Sequence, residues 1–401
     1  MVRAACAAVV ALLLLAAPAA AFQMCDRDGT TVTATFGTET GGLLVQVGSQ
    51  IHTEDGQCDD ATTANTDTIE VVGDSSVELL TIDLAGGTFL DTGGPDLEAG
   101  TSDEVEIEVD FGSGFATRDI LVRGSGAADH VTLGVLGPTL FGPSAINLNA
   151  NEASGVDPDV TTPTHRNIEV DGLGGPDVLS AAGDAGIPTR GFASLVGGPG
   201  DDDLTIGIAT PGPGNDTIRN PGEGAIIRYS DAPNGVVVTL ADGTGGVWGG
   251  TAVNGDGESP PGTDVYVGVP FQIEGSDAGN DVFNGSAFDT SFEGAGGSDT
   301  FNGGSGGEDF RGGAGVDTIH GGDGEDTLLG DAGGDFLYGE GGLDVLAGNA
   351  GADTESGGAD DDYLVQSARF LGVAESSNPN GADDLSGGPD VLSAAGDAGI
   401  P

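Results

Sequence analysis

The sequence predicts an all-β chain of short stacked strands, and three observations predict it. A nine-residue period runs without insertion from Ser276 to Val365, ten units in all. The 76 glycines and 5% aromatics argue against one large conventional core and for a repetitive architecture. The rest of the chain alternates apolar and polar residues between Gly, Asp and Thr punctuation, the period of strands. No stretch carries a convincing helical period. At 401 residues the chain has room for two or three domains.

In chain order, residues 1–21 read as a signal peptide. Arg3 precedes the apolar run VVALLLLAA, and Ala19 and Ala21 stand at signal-peptidase spacing. The run is shorter than the roughly 20 residues a membrane helix needs, and no other stretch is predicted to span a bilayer. Export predicts a disulfide between Cys25 and Cys58, since Cys6 leaves with the signal.

Residues 22–165 form the next unit. TVTATFG, DTIEVVGD, EVEIEVDFGSG and DILVRGSG alternate strictly and predict an all-β, β-helix-like domain rather than a sandwich. Residues 166–220 hold degenerate turns: GLGGPDVLS (172–180), GGPGDDDLT (197–205) and PGPGNDTIR (211–219). Each aligns an acid at position six, Asp177, Asp202 and Asp216, although the three do not share one register. The alternative there is ordinary Asp-Gly turns. Residues 221–275 form a β spacer whose Asn234–Gly235 pair predicts a hairpin or tight turn.

The period occupies 276–365. Its sixth position reads Asp281, Thr290, Asp299, Glu308, Asp317, Asp326, Asp335, Asp344, Asp353 and Asp362, and its eighth is large and apolar in nine units of ten. Three residues around the apolar position make a strand, and six glycine-rich residues reverse the chain. Two units then make one coil, and coils stack in parallel at about 4.8 Å. One side stacks Asp281, Asp299, Asp317, Asp335 and Asp353; the other stacks Glu308, Asp326, Asp344 and Asp362. Bare carboxylates at that spacing repel by about 1 kcal/mol per pair even in water. The block holds twenty acids and one arginine, Arg311, so cations must sit between the rungs. An all-oxygen environment favours Ca²⁺ over Mg²⁺ or zinc.

At these residues the chain resembles the hemolysin-type calcium-binding repeat family, the repeats-in-toxin (RTX) proteins, whose signature is GGxGxDxUx with U large and apolar. GGAGVDTIH and GGDGEDTLL match it fully. The resemblance implies a parallel β-roll/β-solenoid that binds Ca²⁺ in its turns, with the sixth-position acids other than Thr290 as ligands. GSAFDTSFE, GNAGADTES and GGADDDYLV depart from the pattern. Residues 366–401 form a C-terminal partial repeat. There GGPDVLSAAGDAGIP at Gly387–Pro401 duplicates Gly174–Pro188, which suggests a piece of a longer protein.

Charge and motifs then narrow the function. A net charge of −55 with no lysine argues against nucleic acid and anionic membranes as partners. It favours cations, or an acidic surface suited to solubility. GGSGG at Gly303–Gly307 fits the esterase pattern GxSxG only formally, since it lies in a repeat turn. The four histidines form no HExxH, and a phosphate loop is impossible without lysine. The expectation is a secreted, non-enzymatic Ca²⁺-binding protein, structural or adhesive, with cell-surface or matrix polysaccharide or protein as a possible partner. The enzyme alternative is a Ca²⁺-dependent β-helix polysaccharide lyase using Arg118 or Arg123. A fragment of a larger RTX enzyme, toxin or adhesin is the third.

Overall fold

A computed structural model of the chain describes residues 22–36, 41–47, 49–53, 56–73, 78–87, 105–111, 118–135, 144–148, 159–162, 167–182, 192–205, 207–219, 225–241, 249–253, 262–268, 270–365, 384–386 and 391–393. The expected signal peptide, His165 and most of the partial repeat at 366–401 lie outside the described residues. The chain divides into two units, Met1–Gly174 with Val178–Ser194, and Gly175–Asp177 with Leu195–Pro401.

The first unit is built by coiling. Thr31–Phe36, Thr68–Val72, Glu106–Asp110 and Val160–Thr162 pair in parallel, and so do Gly41–Val47, Glu78–Asp83, Arg118–Arg123 and Asn167–Asp171. Register places Val32, Ile69, Ile107 and Val160 in one apolar ladder and Leu44, Ile82, Val122 and Val170 in another. All eight are fully buried, as period-two alternation requires of strands with one face inward. Antiparallel strands decorate the coils: Phe22–Asp28 pairs with Thr31–Phe36, and Gln50–Thr53 lies between Gly41–Val47 and Gly56–Thr62. Cys25 and Cys58 form a disulfide that ties two of these strands. Among the described residues the one helical segment is a single 3-10 turn, Leu84–Gly86. Asp83 caps it by accepting the Ala85 N–H at 2.9 Å.

The second unit is an all-β parallel roll. Its repeats give strands of three residues, such as Val282–Asn284, Ser291–Glu293 and Thr300–Asn302, and each next-but-one strand pairs in parallel. The eighth positions form two facing ladders. Phe283, Phe301, Ile319 and Leu337 stack from one sheet, and Phe292, Phe310, Leu328, Leu346 and Leu364 from the other. All are at most 1% exposed. Phe283 and Phe301 stack with centroids 5.1 Å apart, and Phe292 and Phe310 at 5.4 Å. Where Glu355 replaces an apolar residue, it is buried and its Oε1 accepts the Gly348 N–H at 2.6 Å.

The spacer departs from expectation. Asn234–Gly235 does not close a hairpin, because Ile226–Arg228 before it and Val237–Ala241 after it belong to different sheets. Val237–Ala241 takes Val282–Asn284 as parallel partner on one edge and Gly249–Val253 as antiparallel partner on the other. Thr263–Val267 then pairs antiparallel with Gly249–Val253 and parallel with Thr217–Arg219. The spacer is thus an antiparallel insert between two runs of parallel coils.

Candidate metal centre

Each sixth-position acid stands just before its strand, at the corner where the chain leaves a turn. The two predicted columns are present, and every member from Asp281 to Asp362 is at most 2% exposed. The columns are not bare carboxylates facing one another. Asp281 N–H donates to Asp299 Oδ1 at 2.7 Å, Asp299 N–H to Asp317 Oδ1 at 2.8 Å, Asp317 N–H to Asp335 Oδ1 at 2.9 Å, and Asp335 N–H to Asp353 Oδ1 at 2.9 Å. On the other side Glu308, Asp326 and Asp344 donate to Asp326, Asp344 and Asp362 at 2.7, 3.0 and 3.0 Å. One oxygen of each column aspartate therefore stitches consecutive coils, a role that the repeat spacing does not reveal, whereas Glu308 Oε2 accepts the Gly304 N–H of its own turn at 3.2 Å.

The second oxygen is different. Oδ2 of Asp299, Asp317, Asp326, Asp335 and Asp344, and Oε1 of Glu308, are buried with no hydrogen-bond partner. Leaving a buried carboxylate oxygen unsatisfied costs about 1–3 kcal/mol or more, so such atoms call for a partner. The first-position glycines make room beside them. A Cβ added at Gly321 would lie 2.5 Å from Asp326 Oδ2 and 2.7 Å from the Gly339 carbonyl oxygen; at Gly330 it would lie 2.5 Å from Asp335 Oδ2 and 2.9 Å from Gly348 O. Each cradle thus joins a carboxylate oxygen to a main-chain carbonyl of the next coil, and any side chain there would fill it. Among the described residues no three Asp, Glu, His or Cys side chains converge on one point. An ion held here takes main-chain carbonyls as well as carboxylates, and a donor set of hard oxygens fits Ca²⁺.

Electrostatics point the same way. Burial pushes the carboxyl pKa of Asp299, Glu308 and Asp335 up to about 7, and of Asp281 and Asp344 to about 6; burial also raises Asp317 and Asp326. Among the described residues no side-chain cation offsets this. Arg219, Arg228 and Arg311 pair with Asp203, Glu274 and Asp331 on the outer faces, away from the columns.

Asp281, Thr290 and the three upstream acids differ from the other column positions. Asp281 has both oxygens engaged: Oδ1 accepts from Val236 N–H at 2.7 Å and Ser276 Oγ at 3.1 Å, and Oδ2 from Ser276 N–H at 3.0 Å. Its unit is the one opened by serine instead of glycine. Thr290 is buried and contributes no carboxylate to its rung. Asp177, Asp202 and Asp216 lack a common sequence register but do share one column, because coils of unequal length bring them into line. Asp177 N–H donates to Asp202 Oδ1, and Asp202 N–H to Asp216 Oδ1, both at 2.8 Å.

The column includes one further acid, Asp264, outside the three upstream motifs. Asp216 N–H donates to Asp264 Oδ1 at 3.1 Å, and Asp264 is fully buried. The sequence before it, SPPGT, keeps the fourth-position glycine, Gly262, but lacks the opening glycine pair of the repeat. The available signal was the triplet Asp264–Val265–Tyr266, which has the form of Asp281–Val282–Phe283 and Asp344–Val345–Leu346. As for the arginines weighed for catalysis, Arg123 Nη1 lies 4.0 Å from Asp83 Oδ2, and the Arg118 side chain is outside the described residues.

Fold and site together define a parallel β-roll whose turns are lined with buried carboxylate oxygens and accessible carbonyls, the makings of a cation-binding repeat protein. A family model for four copies of the RTX calcium-binding nonapeptide repeat matches residues 276–307, 302–337 and 329–364. Residues 276–364 are RTX calcium-binding nonapeptide repeats. A search of curated proteins finds no match to the chain.

Proposed function

We propose that this is a secreted, non-enzymatic protein whose roll binds Ca²⁺ outside the cell and acquires its order by doing so, in a structural or adhesive role. The observation that carries this reading is the row of buried, partnerless carboxylate oxygens at Asp299, Glu308, Asp317, Asp326, Asp335 and Asp344. When bound, Ca²⁺ supplies the positive charge and the lone-pair acceptor that these oxygens lack. The residues of the chain do the rest. First-position glycines keep the cradles open, Oδ1 atoms hold adjacent coils in register, and Asp353 and Asp362 extend the columns. One large apolar residue per glycine-rich unit of nine does not by itself offset the entropy of ordering it, so ion binding and folding are linked.

Secretion is supported by the signal-type sequence of residues 1–21 and by the Cys25–Cys58 disulfide, which belongs to oxidising compartments. Calorimetry on the full chain tests the metal preference. It is expected to show several Ca²⁺ ions bound against a background of about millimolar Mg²⁺, because Mg²⁺ demands a stricter octahedron. Equal affinity for the two ions contradicts the reading.

A further inference from the structure

The two outer faces of the repeat roll differ in a way that the repeat does not require. On one sheet the seventh positions set Val282, Thr300, Thr318, Phe336 and Thr354 in one outward row, one residue per coil. The ninth positions set Asn284, Asn302, His320, Tyr338 and Ser356 in a second row beside it. None of these ten is an acid, an arginine or a lysine, and neither is any fifth-position residue at the corner of the same sheet, 280, 298, 316, 334 and 352. The same positions of the other sheet carry Asp289, Glu293, Asp309, Arg311, Glu325 and Asp361. In a chain of net charge −55, an acid-free face opposite an acid-bearing one is a selective feature.

The acid-free face carries a regular set of donors and acceptors. Asn302 Nδ2 donates to Asn284 Oδ1 at 3.0 Å, and Asn284 Nδ2 to Thr239 Oγ1 at 3.2 Å, so the ladder continues onto the adjoining spacer strand. His320 and Tyr338 extend the same row as stacked rings, with centroids 4.8 Å apart and planes 17° from parallel. Phe336 stands in the neighbouring row and is 40% exposed. Rings on two adjoining rows make an apolar platform, and the Asn amides and Thr300 and Thr318 hydroxyls continue it as a polar strip. The turn beside the rings holds Asp323 and Glu340, and Glu340 Oε1 lies 2.9 Å from His320 Nδ1.

That chemistry fits a sugar chain. A pyranose offers one apolar face to stack on a ring and a rim of hydroxyls that both donate and accept, as Asn and Thr side chains do. Coils repeat at about 4.8 Å, close to the length of one sugar in an extended chain, so successive sugars meet equivalent rungs. The net charge repels a polyanionic glycan, and a polycation is drawn instead to the acid-bearing faces. A second copy of the chain would call for a broader apolar core than these few rings provide. We propose that the outer face of this sheet, with Phe336 and Tyr338 as its anchors, binds an extended chain of neutral sugar units along the roll. The proposal deepens the adhesive role given above and rests on the Ca²⁺-ordered roll that displays the face.

The test is isothermal titration calorimetry of the full chain, in Ca²⁺ and in chelator, with the neutral hexasaccharides cellohexaose, mannohexaose and chitohexaose and with the polyanionic hexagalacturonate. At least one neutral hexasaccharide is expected to bind in Ca²⁺, with no binding in chelator and none of hexagalacturonate. Tyr338→Ala is expected to lower the association constant about tenfold or more, the loss that follows truncation of an aromatic anchor. Thr318→Asp, which places a charge on the face without removing a ring, is expected to do the same. Tyr363→Ala removes a ring that is 44% exposed on the other sheet and is expected to change nothing. Circular dichroism of each variant in Ca²⁺ reads the fold separately, and Thr318→Asp decides if Tyr338→Ala does not fold. If the parent folds on Ca²⁺ and binds none of the neutral hexasaccharides, the sugar face is wrong while the Ca²⁺ reading stands. If binding is equal in Ca²⁺ and in chelator, the Ca²⁺-linked folding is wrong while the sugar face stands. Equal binding of hexagalacturonate, or an equal loss in Tyr363→Ala, overturns the proposal. So does a dimer in sedimentation that Tyr338→Ala abolishes, which would make the face a contact between copies of the chain.

Discussion

Asp299 carries the chemistry of the roll in a single side chain. Its Oδ1 accepts the N–H of Asp281 and its Oδ2 is left for an ion. Burial raises its pKa to about 7, as it does for Glu308 and Asp335. These folded-state values lie above the ordinary 3.8 of Asp and 4.5 of Glu, so the metal-free roll binds more protons folded than unfolded. The stability this contributes is fully present below about pH 4 and is lost as pH rises through about 7. Ca²⁺ needs the ionised carboxylates, so its apparent affinity moves the opposite way and falls as pH drops through the same window. Circular dichroism in chelator across this range should show β structure favoured by acid, and Ca²⁺ titrations should weaken from pH 8 to pH 5. A Ca²⁺ affinity independent of pH contradicts the buried, raised carboxyls. At this scale the sequence told which residues line the columns, since acid and glycine recur at fixed offsets. It did not tell that Oδ1 is already spent on a main-chain N–H, because that bond depends on the corner geometry of each coil.

Within each nonapeptide, glycines at different positions have different duties. Gly315, at the fourth position, has φ +148°, and a Cβ there would overlap the carbonyl oxygen of Gly297 in the preceding coil. Gly334, at a fifth position, has no such φ, and its nearest neighbour would be the Ala352 carbonyl oxygen at 3.3 Å. Gly315→Ala is expected to cost about 1–3 kcal/mol or more and to lower the unfolding midpoint in Ca²⁺, and Gly334→Ala less than about 1 kcal/mol. Thermal unfolding of the two variants in saturating Ca²⁺ checks this, and equal costs would contradict the turn geometry. The repeat elements were readable because one large residue and one acid per nine residues leave few alternatives. The spacer was not. Asn234–Gly235 carries a hairpin signal, yet the apolar faces of Ile226–Arg228 and Val237–Ala241 are claimed by different sheets, and tertiary pairing overrides the local turn preference. Asp264 was missed for a related reason: SPPGTDVYV (259–267) keeps Gly262 at the fourth position, but Ser259 and Pro260 stand where the repeat opens with two glycines.

For the chain as a whole, a net charge of −55 and a roll held by one apolar seam set the balance. The first unit buries alternating Val, Ile and Leu on paired coils and carries a disulfide, so its order does not call for an ion. The repeat block encloses partnerless carboxylate oxygens, and its order does. The most direct test of that claim is amide hydrogen exchange on the full chain, with Ca²⁺ and then with chelator. The account predicts that the N–H groups of Asp299, Asp317, Asp326 and Asp335, which bond to the next carboxylate in their columns, exchange slowly in Ca²⁺ and rapidly in chelator, while those of Ile69, Ile107 and Val122 stay protected in both. Equal protection of the repeat-block amides with and without Ca²⁺ would contradict it.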